Sequence, residues 1–211
     1  MGISINEYLV SVYIWSVYTE CLHGMPSKCP IRVAVPVNLR PYFNSITTKN
    51  FFVMVSAEFH PTKETYTFAE VAAIVKESLR SQINRENLEK LFSYNVSNEK
   101  LLIARVVPLF LKNLAMKYVY TTSALANTAT ITNIGNISVT EEYRPYVEMF
   151  HAFLAMSKGQ HLKGTICSYG DTLVFSFSYD LTDTSVQRGF FRKIAADGIA
   201  VEIETNGVNY E

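Results

Sequence analysis

The chain has 211 residues, 48% of them hydrophobic and 13% aromatic, which is enough apolar material for one sizeable core and too much for a disordered chain. Nineteen Lys and Arg balance nineteen Asp and Glu, so there is no basic field to neutralise a run of phosphates or to hold an anionic membrane, and neither nucleic acid nor a membrane is expected as a partner. Cys21, Cys29 and Cys167 are odd in number, without Cys-x-x-Cys or a Cys/His cluster at zinc spacing; no disulfide framework and no metal site are expected, and a reducing cytoplasm suits the composition.

The opening ISINEYLVSVYIWSVYTE is apolar but interrupted by Glu7, Ser11, Ser16 and Thr19, and it lacks a basic n-region and a cleavage site. It reads as a buried helix. Ser4 and Glu7 have capping-box spacing at its start, and the Gly24 to Pro30 stretch ends it. IRVAVPV then predicts a strand, and FFVMVSAEF, after the polar loop NLRPYFNSITTKN, predicts a second in the same sheet. Thr67 and Glu70 repeat the capping-box pattern before a helix whose apolar positions are Phe68, Val71, Ala72, Val75 and Leu79. A helical middle follows from about Arg85 to Ser123, with Pro108 expected to end or kink a helix inside it.

TATITNIGNI, from Thr128 to Ile137, alternates like a strand and stops in a polar turn at Gly135. YVEMFHAFLA predicts a further strand, and LKGTICSY and TLVFSFSY predict a hairpin around Gly170-Asp171. In the second hairpin strand Leu173, Phe175, Phe177 and Tyr179 share one face. Asp183 or Thr182 is the expected cap of SVQRGFFRKIAAD, Gly198 suits the position past its end, and IAVEIE predicts a final strand. The fold class is α+β: a two-layer sandwich in which helices cover a mixed or antiparallel sheet, as a single domain over residues 1–211.

VAVPVNLRPYF followed by Asn50-Phe51, the central TATITNIGNI, and the ending LVFSFSYDLTDTSVQRGFFRKIAADGI together resemble the C-terminal half of the chloramphenicol-acetyltransferase-like superfamily, which includes condensation domains and alcohol acetyltransferases. The resemblance implies a fold used in two copies with an active channel between them. It also implies a catalytic His-His-x-x-x-Asp-Gly on the other, N-terminal copy, which is absent here. At the matching position this chain reads Tyr179 with Asp183 four residues on. A phenol with a pKa near ~10 is a poor base beside an imidazole near ~6.5, so the motif position keeps its scaffold without its base. Of the four histidines only His60 has a carboxylate four residues on, Glu64, and it lies in a Pro-containing linker.

The resemblance also implies that TNIG borders the channel. There Thr132 and Asn133, with Gly135 allowing close approach, would present a hydroxyl and backbone N–H groups to the oxyanion of acyl transfer. The competing reading is an ordinary strand end whose Thr and Asn satisfy local backbone groups. Arg40 is expected to lock its loop by binding a carboxylate, with contact to coenzyme A phosphates as the alternative, and Asn50 to stand near the channel wall. Lys112 and Lys117 are expected on a solvated helix face. No phosphate loop, metal constellation or Gly-x-Ser-x-Gly elbow is present.

The expected function is therefore the C-terminal subdomain of an O- or N-acyltransferase, inactive alone. Acetyl-CoA or another acyl-CoA would be its co-substrate, an alcohol or amine its acceptor, and the missing N-terminal half its partner. Met1 stands almost directly before the first helix, which suits a chain cut at a subdomain junction. The alternatives are a non-catalytic binding or assembly module, in which exposed apolar surface drives homo-oligomer formation, and an active homo-oligomer using His60 or Tyr179.

Overall fold

A computed structural model describes residues 2–100, 107–157 and 159–206. In chain order the elements are α1 (Ile5–Ser16), a π-helical turn (Val17–Cys21), β1 (Ile31–Asn38), a single turn α2 (Arg40–Phe43), β2 (Phe52–Phe59), α3 (Phe68–Gln82) and α4 (Arg85–Lys100). There follow α5 (Leu109–Leu125), β3 (Ala129–Asn136), a 3-10 turn (Arg144–Tyr146), β4 (Leu162–Tyr169), β5 (Thr172–Tyr179) and α6 (Ser185–Ala196).

Both predicted capping boxes form. Ser4 Oγ accepts from the Glu7 N–H while Glu7 Oε2 accepts from the Ser4 N–H, and Thr67 and Glu70 repeat the exchange before α3. The serines inside apolar α1 are fully buried because their hydroxyls return to the helix, Ser11 Oγ donating to Glu7 O (2.6 Å) and Ser16 Oγ to Val12 O (2.8 Å).

The sheet order is β2-β1-β3-β4-β5. β1 pairs antiparallel with β2 from Ile31↔Phe59 to Asn38↔Phe52, and β4 pairs antiparallel with β5 around the predicted Gly170-Asp171 turn. The central strands β1, β3 and β4 are parallel. β1 and β3 stay together only briefly, with Val33 opposite Ala129 and Ala34 opposite Thr130. Arg32 faces β3, since Arg32 O accepts from Thr128 N (2.8 Å) and Arg32 N donates to Thr128 Oγ1 (3.1 Å). Alternation turns Pro36 the same way, and proline has no N–H to continue the ladder, so the strands part there.

One sheet face carries Val33, Val35, Val55, Ala57, Phe59, Ile131 and Ile166 against α1, α3 and α6, and these residues are buried. Phe190 of α6 is fully buried among Phe175, Phe177 and Phe191, with ring centroids 4.4, 5.1 and 5.3 Å away. Burial of such a ring contributes about 1.5–3 kcal/mol. The α6 terminus closes as predicted: Gly198 N donates to Ala195 O and Ile199 N to Ile194 O, the two bonds of a Schellman motif.

Three expectations need correction. YVEMFHAFLA is not a strand: beyond Tyr146 it runs as a strap outside the sheet, over β4, whose two edges are taken by β3 and β5. The strap instead crosses the second face of β4, where Cys167 Sγ donates to Phe150 O (3.1 Å) and Lys163 Nζ to Ala155 O (2.7 Å) and Ser157 Oγ (2.6 Å). IAVEIE likewise forms no strand in 199–206. The residue at the N-cap of α6 is Thr184, and Asp183 caps from one position earlier by accepting from the Ser185 N–H (2.9 Å). Pro108, expected to end or kink a helix, stands at a helix boundary, directly before α5, where its carbonyl accepts from the N–H groups of Leu111 and Lys112; residues 101–106, before it, lie outside the described residues.

Candidate functional site

β1 and β3 part toward the carboxyl ends of the parallel strands, the end at which open sheets with parallel strands present ligand sites. Thr132 lies just beyond the last β1–β3 pair. It is half-buried, opposite Thr165 of β4, and Thr165 is opposite Ser176 of β5. Pleating places all three hydroxyls on the face away from the core, with Thr130, Lys163 and Ser178 as the next row. Thr165 and Ser176 are buried, and Thr165 Oγ1 has no hydrogen-bond partner among the described residues. Thr130 Oγ1 donates to Gln160 Oε1 (3.3 Å), while no hydrogen bond of Thr132 Oγ1 occurs among the described residues.

The turn itself is a bulge between Asn133 and Gly135 in the β3–β4 pairing. Asn133 Oδ1 accepts the Gly135 N–H (2.8 Å), so that N–H serves the turn and is not free for an oxyanion. Gly135 has φ +86, and a Cβ built there meets nothing within 4 Å. Glycine is needed for its backbone conformation, and the space beside it is open. At this end Thr132 carries a half-buried hydroxyl, and the hydroxyl of its buried neighbour Thr165 has no hydrogen-bond partner among the described residues.

Arg40 and Asn50 belong to the same end, since Asn38 and Phe52 pair at the carboxyl end of β1. Arg40 binds no carboxylate. Its Nε donates to Thr47 O (2.9 Å), Nη2 to Lys49 O (2.7 Å) and Nη1 to Asn38 Oδ1 (3.3 Å), so the guanidinium fork ties the loop through carbonyls. Asn50 is exposed at the foot of β2.

Tyr179 and Asp183 are at the other end. Tyr179 pairs with Leu162, three residues before Thr165 and five before Cys167, the partner of Gly135; at strand rise this separates them by roughly 10–16 Å along the sheet. Tyr179 packs against the core, and hydrogen bonds from the Ser185 backbone and hydroxyl hold the Asp183 carboxyl below its usual range. His60 also belongs to that end and pairs with Glu58 Oε1 (2.6 Å), not Glu64; Glu58 is held low chiefly by Arg32, 2.7 Å away.

Two features escaped sequence reasoning. His161 Nδ1 stands 2.9 Å from Asp180 Oδ1 where the β4–β5 ladder runs one step past its last pair, a contact between residues 19 apart that only the register creates. The hydroxyl row with buried Lys163 had a visible signal, the alternation of Lys163, Thr165 and Cys167 in LKGTICSY. His151 follows Phe150 on the strap above Cys167 and faces Glu204 at 3.6 Å. Among the described residues no group of three or more His, Cys, Asp or Glu assembles to hold a metal, and no helix is long and apolar enough to cross a membrane.

No family model and no curated protein sequence matches the chain. Solved structures do. The epimerization domain from the third module of tyrocidine synthetase B superposes with a TM-score of 0.53 at 9% identity, covering 92% of this chain and 42% of that one. A nonribosomal peptide synthetase in an AMPPNP-bound form gives 0.56 at 17% identity, covering 92% of this chain and 19% of that one. The wax ester synthase/diacylglycerol acyltransferase from Marinobacter aquaeolei gives 0.47 at 13% identity over 94% and 44% of the two chains, too low a score to add to the assignment. The chain thus has the chloramphenicol-acetyltransferase-like fold of condensation-type domains, and it spans less than half the length of these matched chains.

Proposed function

We propose that this chain is the C-terminal half of an acyl-transfer domain, that its hydroxyl-bearing sheet end forms one wall of the transfer channel, and that the base comes from the other half. The observation that carries the reading is the half-buried Thr132 hydroxyl at the parting of β1 and β3, in a chain whose fold is matched over 92% of its length by only 42% of a larger one. In this reading Tyr179 and Asp183, toward the opposite end of the sheet from Thr132, take no part in the chemistry.

The acyl donor is an acyl thioester such as acyl-CoA, and the acceptor is an alcohol or amine. The acceptor heteroatom attacks the thioester carbonyl while the base of the other half takes its proton. The tetrahedral oxyanion accepts a hydrogen bond from Thr132, then collapses to ester or amide, and the leaving thiolate recovers the proton. One preorganised donor of this kind contributes roughly 3 kcal/mol to the transition state. Arg40 keeps the neighbouring loop in place through its carbonyl contacts.

The test is free-thiol release from acetyl-CoA with short alcohols and amines. The chain alone should stay at background, and turnover by the chain alone overturns the requirement for a second half. A second reading, a non-catalytic assembly module of the same fold, is favoured by one observation: helix α5 exposes large apolar side chains along its whole length. A discrete oligomer that binds no thioester would support it.

A further inference from the structure

Lys163 of β4 is only 7% exposed, yet no carboxylate pairs with it among the described residues. Its Nζ lies 2.7 Å from Ala155 O and 2.6 Å from Ser157 Oγ, both on the strap. A buried ammonium held by neutral oxygens carries a desolvation cost that no ion pair offsets, and an uncharged amine carries far less. The same heavy-atom positions serve both forms. The ammonium donates to both oxygens; after losing one proton, the amine still donates to Ala155 O and accepts from the Ser157 hydroxyl.

Both side chains stand on a braced framework. Lys163 lies in the ladder between Thr130 of β3 and Ser178 of β5. Ser157 begins a tight turn in which Gln160 N donates to Ser157 O (3.0 Å), and Gln160 is held in turn by Thr130 (3.3 Å). Gly159, in the same turn, has φ +86, and a Cβ there would lie 2.8 Å from Leu125 Cδ2, so the end of α5 lies against the turn. The Gly159 N–H has no backbone partner among the described residues, which leaves a donor in the turn for an oxyanion. Ser157 itself is half-buried and so partly open to solvent. A nucleophile within hydrogen-bond reach of a base, with the base oriented by a third group, is the arrangement that activates serine; here lysine is the base and the Ala155 carbonyl orients it.

We propose that Ser157 and Lys163 form a nucleophile–base dyad that takes the acyl group of an activated oxygen ester. The dyad is separate from Thr132 and does not rest on the half-domain reading. Ser157 Oγ bonds to the carbonyl carbon while its proton passes to Lys163 Nζ. The bond to the leaving alkoxide then breaks, and the alkoxide takes the proton from Nζ, giving an acyl-serine and an alcohol. Water repeats the cycle: it gives its proton to Nζ as it attacks the acyl carbon, Ser157 Oγ leaves and recovers that proton, and the carboxylic acid departs. Leu125, 64% exposed beside the turn, offers apolar surface to a short acyl chain.

The experiment incubates the full chain with p-nitrophenyl acetate, follows nitrophenolate release, and locates the acetyl group by peptide mass spectrometry. The acetyl group should be found on Ser157, and release should fall at least about 100-fold in S157A and in K163M. K163R should fall as far, since a guanidinium keeps its charge and its contact with the strap but takes no proton. Urea unfolding checks that each variant is folded; should K163M not fold, S157A and K163R decide. Acetylation of lysines alone, no acetyl group at Ser157, or release undiminished in S157A would overturn the proposal. So would a K163R variant as fast as wild type, which would make Lys163 a clip for the strap. The probe is an oxygen ester, so this result and the thiol assay with acetyl-CoA can each fail without the other.

Discussion

Arg80 of α3 closes on Glu7 of α1, its Nε 2.6 Å from Oε1 and its Nη2 3.0 Å from Oε2, so the carboxylate that caps α1 also joins the two helices packed on the sheet. Glu7 is buried, and the hydrogen bond from Arg80 outweighs the opposing effect of burial, lowering its pKa from 4.5 to about 2. A depressed carboxylate pKa stabilises the fold above the unfolded value and loses that contribution as pH falls through the folded one. Glu7→Gln should therefore cost about 2 kcal/mol at pH 7, after discounting for the exposed side of Arg80. The difference from wild type should shrink between about pH 4.5 and pH 2 in urea unfolding. A difference independent of pH would mean that the carboxylate charge plays no part.

Phe190→Ala should cost about 3–5 kcal/mol, because it empties a site enclosed by three other rings. Phe190→Leu, which keeps most of the volume, should cost less than about 1.5 kcal/mol. Denaturant midpoints at constant m-value measure both.

Two glycines separate close approach from backbone conformation. A Cβ at Gly164 would lie 2.6 Å from Phe175 Cζ and 3.2 Å from Ile131 Cγ1, so Gly164→Ala should destabilise by forcing the aromatic cluster to shift. Gly135→Ala meets open space and should cost about 1–2 kcal/mol through its positive φ alone, with Gly135→Asn tolerated better. Equal effects of Ala and Asn at 135 would remove the conformational explanation.

Thr165→Val tests the unpartnered hydroxyl. Its burial without a hydrogen bond costs about 1–3 kcal/mol, so replacement by a methyl of similar shape should raise stability by about 1 kcal/mol. In a complete domain the same change, and Thr132→Ala more strongly, should lower turnover by as much as 100-fold. A stability loss on Thr165→Val would show that the hydroxyl has a partner.

Much of the framework was legible because its determinants are local. Ser4 with Glu7, Thr67 with Glu70, and Gly170-Asp171 act within a few residues of chain, and each forms as read. The misread segments have equally good alternation. What distinguishes YVEMFHAFLA from a strand is that it meets the face of β4, through Cys167 to Phe150 and Lys163 to Ala155, and joins no edge of the sheet, contacts that no window of sequence contains. The same holds for the site. TNIG announced a turn, but Pro36 as the point where β1 leaves β3, Thr165 beside Thr132, and the separation of Tyr179 from both depend on register between strands far apart in the chain.

The most direct test is to titrate acetyl-CoA into the ¹⁵N-labelled chain and follow its amide resonances while assaying thiol release. A channel wall that lacks its base should show shifts concentrated at Thr132, Asn133, Gly135 and Thr165, with thiol release at background. Shifts confined to other surfaces, or none at millimolar thioester, would contradict the account. So would turnover by the chain alone, and its loss in His151→Ala would identify a base that the strap itself carries.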